Sequence, residues 1–88
     1  MSQKIYVGNL NYATTGEGLK DLFGNYGEVV SAIVIKDRLT HRSKGFGFVE
    51  MEDEAAVKKA IEELNETDFE GRKIRVNYAE ERQQPPQH

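Results

Sequence analysis

The sequence has no cysteine and no tryptophan, and its only two prolines, Pro85 and Pro86, stand among the last four residues. Without cysteine there is no disulfide framework, no thiolate nucleophile and no cysteine-based zinc site, and the composition suits a reducing compartment. No apolar run approaches the roughly 18–20 residues of a transmembrane helix. The first apolar stretch, Ile5-Tyr6-Val7, is broken by Gly8-Asn9 and is too short for the core of a signal peptide. Positive charge is not in excess either: 12 Lys and Arg face 15 Asp and Glu, a formal net charge of −3. As a total, that balance argues against a nucleic-acid binder. The two histidines, His41 in a polar stretch and His88 at the end, have no catalytic partner evident in the sequence.

What is present fits one small domain. The 88 residues are 38% hydrophobic and 31% charged, and a chain of this size buries roughly 60–65% of its unfolded surface. The stretch EERQQPPQH at 80–88 holds no large apolar residue. A domain over 3–80 and a flexible tail over 81–88 are therefore expected.

Residues 4–10 alternate, with Ile5 and Val7 on one face and Lys4, Tyr6 and Gly8 on the other, as in a half-buried strand. Thr14-Thr15-Gly16-Glu17 matches a capping box with Thr14 as N-cap. Leu19, Leu22, Phe23 and Tyr26 follow at helical spacing, and Gly27 closes the helix. VVSAIVIK at 29–36 is a β-branched run apolar on both sides, and residues 37–43 read as a loop. KGFGFVEM at 44–51 alternates, with Lys44, Phe46, Phe48 and Glu50 sharing one face and Gly45, Gly47, Val49 and Met51 the other. A second helix spans 52–65 on the stripe Ala56, Val57, Ala60, Ile61 and Leu64. The last strand, 73–78, turns Ile74, Val76 and Tyr78 one way and Lys73, Arg75 and Asn77 the other.

The order β-α-β-β-α-β predicts an α+β, ferredoxin-like sandwich. Its four-stranded antiparallel sheet has the order 4-1-3-2, with both helices on one face. The other face is left open. If Ile5, Val7, Val49 and Met51 are core, Tyr6, Phe46 and Phe48 stand in water together. Side chains of this size gain about 1.5–3 kcal/mol each on burial, so three exposed rings on one surface mark a place where a partner sits. Gly45 and Gly47 are expected to face the helices, where a missing side chain permits close packing.

Lys44-Gly45-Phe46-Gly47-Phe48-Val49-Glu50-Met51 resembles the RNP1 motif of the RNA recognition motif family. It departs from that motif at Met51, where Phe or Tyr is usual. Ile5-Tyr6-Val7-Gly8-Asn9-Leu10 resembles the RNP2 motif at every position, about 40 residues upstream. The resemblance covers residues 4–80 and is nearest to small single-domain proteins of bacteria and organelles. It implies single-stranded RNA as partner, with single-stranded DNA the alternative, and post-transcriptional regulation or RNA chaperoning as the role. By position, it implies base stacking on Tyr6 and Phe46, sugar contact by Phe48 and phosphate contact by Lys44. Arg75 and Asn77 would meet base edges or backbone, and Ala79 and Glu80 would offer main-chain groups. Asn9, Ile33, Ile35, Lys4 and Arg42 complete the implied surface; the run 29–36 leaves open which way Ile33 and Ile35 point. No cofactor, metal or membrane is implied. The protein is expected to be a cytoplasmic monomer, or nuclear or organellar in a eukaryote, with weak self-association through the sheet the alternative.

Other readings fit the residues less well. Acylphosphatases share the fold but need Arg in a phosphate-cradling loop, and Asn11-Tyr12-Ala13-Thr14 has none. Gly45-Phe46-Gly47 lacks the third glycine of a dinucleotide fingerprint. Protein-binding relatives of the resembled family tend to lose the RNP aromatics and carry Arg-x-Phe before the last strand. Here Thr67 stands where that Arg would be, and all three aromatics are intact. The charge then divides by location. Lys4, Lys36, Arg38, Arg42, Lys44, Lys73 and Arg75 share the open side with only Asp37 and Glu50, while the remaining surface sets five cations, Arg72 among them, against thirteen carboxylates. Beyond a Debye length of about 8 Å the acidic back is screened, so the local potential, not the total, meets a phosphate.

Overall fold

A computed structural model describes residues 3–40 and 43–79, and of Ser43 and Lys44 only the backbone. His41, Arg42, Glu80 and the tail expected at 81–88 lie outside these residues. In chain order the elements are β1 (Gln3–Gly8), α1 (Gly16–Gly24), β2 (Val29–Lys36), β3 (Ser43–Met51), α2 (Glu54–Leu64), β4 (Asp68–Phe69), β5 (Arg72–Lys73) and β6 (Arg75–Tyr78). The main sheet runs β2-β3-β1-β6, antiparallel throughout. With β6 as the fourth predicted strand, this is the expected 4-1-3-2 order read from the other edge. α1 packs over β2 and β3, and α2 over β1, β3 and β6.

Strand alternation and helical spacing meet in one core. Ile5 and Val7 of β1, Val49 and Met51 of β3, and Ile74 and Val76 at the last strand are buried against Leu19 and Phe23 of α1 and Ala56, Val57, Ala60 and Leu64 of α2. Met51, the departure from the RNP1 pattern, is wholly buried, where its flexible thioether fills core space. In β2 the ambiguity is settled by a register shift between Val29 and Ser31. The bulge resets the alternation, so that Ala32 and Val34 pack against the core while Ile33 is left 51% exposed.

Local patterns misplaced several details. The N-cap of α1 is Thr15, not Thr14: its hydroxyl accepts from the Gly18 N–H at 3.1 Å. Thr14 is buried and donates its hydroxyl to Glu70 Oε1 at 2.5 Å. That partner is 56 residues away, beyond the reach of a four-residue capping pattern. The helix ends at Gly24 with Asn25 as C-cap, two residues before the expected C-cap Gly27 and short of Tyr26. α2 starts at Glu54, with Asp53 accepting from the Ala55 N–H at 3.0 Å.

Gly45 and Gly47 are not explained by the helices. A Cβ on Gly47 would strike the Ile33 carbonyl oxygen and lie 3.0 Å from Val34 Cα, so it is the neighbouring strand that needs the space. Gly45 has φ 85°, a left-handed backbone that glycine adopts without steric cost. It sits where pairing jumps from Val34 with Gly47 to Lys36 with Ser43.

Of the β4–β5 hairpin, only Lys73 lay in a stretch read as strand. Its turn is Glu70 and Gly71, with φ 53° and 87°, the positive values that two-residue hairpins favour. Strands of two residues carry no readable period. Phe69 packs half-buried against the margin of the core. The strand predicted at 73–78 is therefore divided, and Tyr78, expected on the core side, is 49% exposed at its end.

Candidate nucleic-acid interface

The face away from the helices is organised by register. Ile33, Phe48, Tyr6 and Asn77 form one row across β2, β3, β1 and β6; Phe46, Gly8 and Arg75 form the next across β3, β1 and β6. Lys4 pairs with Glu50 on the far side of the first row. Tyr6 and Phe46 have ring centroids 5.9 Å apart with planes 33° apart. Phe48 stands edge-on to both, at 6.0 Å from Tyr6 and 6.1 Å from Phe46.

These contacts revise the expectation of three rings standing in water. Tyr6 is 36% exposed, and Phe46 and Phe48 are half-buried. Edge-to-face and tilted pairs are worth about 0.5–1.5 kcal/mol each beyond the area they bury. The rings shelter one another, which lets the free domain carry an aromatic face.

Gly8 supplies the seat for Tyr6. A Cβ there would meet the Tyr6 hydroxyl and lie 2.8 Å from its Cε2 and Cζ. The Tyr6 ring therefore lies along its own strand over Gly8, which brings it beside Phe46, the cross-strand partner of Gly8. The signal was in the sequence, since Gly8 is two residues from Tyr6 and shares its face.

Lys4, Arg75 and Asn77 are exposed, and Ile35 is half-buried. Tyr6, Arg75, Val76, Asn77 and Asn65 line a shallow cleft of about 290 Å³ beside β6. Asn65 was not anticipated there; its Oδ1 accepts from the Val76 N–H at 2.9 Å. The Ala79 N–H donates to the Lys4 carbonyl at 3.0 Å, so this main-chain donor closes the sheet. Asn9 has φ 57°, and its amide is engaged internally: Nδ2 donates to the Lys73 carbonyl, and Oδ1 accepts from Arg72 Nη2 at 2.7 Å. Arg72, assigned from sequence to the acidic side, thus reaches the end of β1. Arg42, Glu80 and the Lys44 side chain fall outside the described residues.

Among the described residues, no group of three or more His, Cys, Asp or Glu is placed to hold a metal ion, and no helix is long and apolar enough to cross a membrane.

Fold and site together define a ferredoxin-like domain whose uncovered sheet carries an aromatic triad. The chain belongs to the RNA recognition motif family, whose model matches residues 5–75. It is 49% identical over 82 residues to glycine-rich RNA-binding protein 1 of Mycosarcoma maydis, covering 93% of this chain and 47% of that protein. It is 46% identical over 86 residues to the mitochondrial glycine-rich RNA-binding protein 2 of Arabidopsis thaliana, covering 98% and 54%. The chain thus spans about half the length of these relatives. Among solved structures, RNA Binding Protein PG1 is 56% identical with a TM-score of 0.88, over 93% of this chain and 99% of that one. The Rna15 RRM with bound RNA (GU) is 31% identical with a TM-score of 0.78, over 89% and 83%.

Proposed function

We propose that this domain binds single-stranded RNA on its open sheet, as a binding module in post-transcriptional regulation or RNA chaperoning and not as an enzyme. The observation that carries the reading is the triad of Tyr6, Phe46 and Phe48 on the face the helices leave uncovered. Every base has a π face, and stacking on a protein aromatic contributes about 1–3 kcal/mol per base. Tyr6 and Phe46, tilted only 33°, take two successive bases, and Phe48 meets the sugars from its edge-on position. Lys4, Lys44 and Arg42 meet phosphates; Arg75 and Asn77 meet base edges from the neighbouring strand; Ile33 and Ile35 extend the apolar floor. Asn9 acts by holding the end of β1 in place. The main chain at Ala79 and Glu80 borders the strand's exit, and the binding domain is taken as 3–80.

RNA is favoured over DNA by the names of the relatives and by the RNA-bound neighbour. The working state is a monomer in the cytoplasm, or in an organelle by likeness to the mitochondrial relative. Two or three stacked bases, less the ordering of the strand, give an affinity in the micromolar range, about −8 kcal/mol.

The test is anisotropy with a labelled hexanucleotide of random single-stranded RNA, against the same length of DNA. Micromolar binding that Tyr6→Ala combined with Phe46→Ala abolishes is the expected result. Tighter binding of DNA would reassign the ligand, and no binding at millimolar RNA would contradict the proposal.

A further inference from the structure

The structure assigns Arg72 a positioning role in RNA binding: acting through Asn9, it holds the Gly8 seat of Tyr6 and the spacing between β1 and β6. The inference rests on the proposed RNA binding. Pairing between β1 and β6 ends where Gly8 meets Arg75. One residue before Arg75, Ile74 turns away: its N–H donates to the Thr67 carbonyl at 2.9 Å, and its carbonyl accepts from the Glu66 N–H at 2.8 Å. On the opposite flank β1 stays tied, because the Leu10 N–H donates to the Gly45 carbonyl at 2.8 Å. On the β6 side the link passes to one side chain. Asn9 Nδ2 donates to the Lys73 carbonyl, and Asn9 Oδ1 accepts from Arg72 Nη2 at 2.7 Å. Both ends of the amide are thereby engaged. The bond to the guanidinium is charge-assisted, hence about twice as strong as a neutral one.

This clasp lies beside the groups that meet RNA. Asn9 directly follows Gly8, over which the Tyr6 ring lies, and Gly8 pairs with Phe46 on one side and Arg75 on the other. Asn9 also holds φ 57°, a left-handed backbone that costs a non-glycine residue energy and persists only where its surroundings impose it. Without Arg72, Asn9 loses the stronger of its two anchors, and the peptide between Gly8 and Asn9 is free to swing. The Tyr6 ring then loses its seat, and Arg75 and Asn77 lose their fixed distance from the stacking platform. Arg72 thus acts on the platform and needs no contact with RNA of its own.

The experiment measures anisotropy with the random hexanucleotide for a set of variants beside the wild type. Arg72→Ala is expected to weaken binding at least about threefold, the scale of coupling through a contact network. Asn9→Gly removes the amide while glycine keeps the positive φ without cost, and it should weaken binding to the same degree. The double variant should bind no more weakly than either single one, because both cut the same path. In Arg72→Ala the slope of log K on log salt should stay at its wild-type value, whereas loss of a phosphate contact would make it shallower by about 0.7. By reciprocity of coupling, saturating RNA should slow hydrogen exchange at Asn9 Nδ2 in the wild type. Glu70→Ala cuts the hairpin's other tie, to Thr14, and should lower Tm with RNA affinity unchanged. The inference would be overturned, with wild-type binding intact, by unchanged affinity in Arg72→Ala, by additive losses or by a shallower salt slope. Exchange at Asn9 that RNA leaves unaltered, or an equal loss of affinity in Glu70→Ala, would overturn it too. A wild-type protein that binds no RNA would overturn the proposed function itself, and this inference with it.

Discussion

Adding one methyl group at Gly8 separates binding from folding more sharply than removing a ring does. A Gly8→Ala side chain would lie 2.8 Å from Tyr6 Cε2 and Cζ, where carbon atoms rest at about 3.5–4.0 Å. The ring must shift by about 1 Å. Pushing Tyr6 off its rotamer costs about 0.5–1.5 kcal/mol. Gly8 is not among the glycines with positive φ, so alanine fits the backbone and gains about 0.4–1 kcal/mol by restricting the unfolded chain. These effects oppose each other, and the net change in stability is within about 1 kcal/mol. Binding has no such compensation, because the Tyr6 surface beside Phe46 is displaced. Loss of even the low end of one stacking interaction, about 1 kcal/mol, weakens RNA binding roughly fivefold. Anisotropy with a short RNA and thermal denaturation read the two quantities independently. Gly24→Ala is the control, since a Cβ on that helical glycine meets nothing within 4 Å; it should leave binding unchanged. Wild-type affinity in Gly8→Ala would refute the seat, and unfolding would show that the methyl strikes something the fold requires.

Three further outcomes are expected. Phe46→Ala removes two ring pairs and one platform, weakening RNA binding at least fivefold, while chemical denaturation still shows a cooperative transition; loss of folding would place that ring in the core. The salt dependence of binding is shallow, with a slope of log K on log salt near −2, if about three phosphates are met at about −0.7 each; a slope steeper than about −5 would mean contacts beyond Lys4, Arg42 and Lys44. Tyr26 has its pKa raised by burial and, second, by Glu63, whose carboxylate accepts its hydroxyl hydrogen at 3.2 Å. Its contribution to stability is full below the ordinary tyrosine range and is lost as pH rises through the raised value. Tyr26→Phe should flatten the loss of stability above about pH 10, measured by denaturant midpoint.

The elements with strong periods were legible from the residues. Alternation around Ile5 and Val7 and around Val49 and Met51 put Tyr6, Phe46 and Phe48 on one surface, and the stripe from Ala56 to Leu64 put α2 on the other. What escaped depended on contacts distant in sequence or on elements too short to have a period. The capping assignment went to Thr14 because its real partner, Glu70, is supplied by a hairpin of two-residue strands. The facing of Ile33 needed the bulge in β2, which a run apolar on both sides conceals. Asn9 was placed on the RNA surface by its motif position, while its bonds to Arg72 and Lys73 come from 63 and 64 residues away. The shelter the three rings give one another is a matter of rotamers, which alternation alone does not specify.

The central claim is that the aromatic sheet face, and not the acidic helical side, receives the RNA. Backbone amide and aromatic ring resonances followed during titration with a short random single-stranded RNA test it most directly. The largest shifts are predicted at Tyr6, Phe46 and Phe48, with Arg75 and Asn77 moving and the outer faces of α1 and α2 still. Shifts concentrated on the helices, or none on the triad at millimolar RNA, would contradict the account.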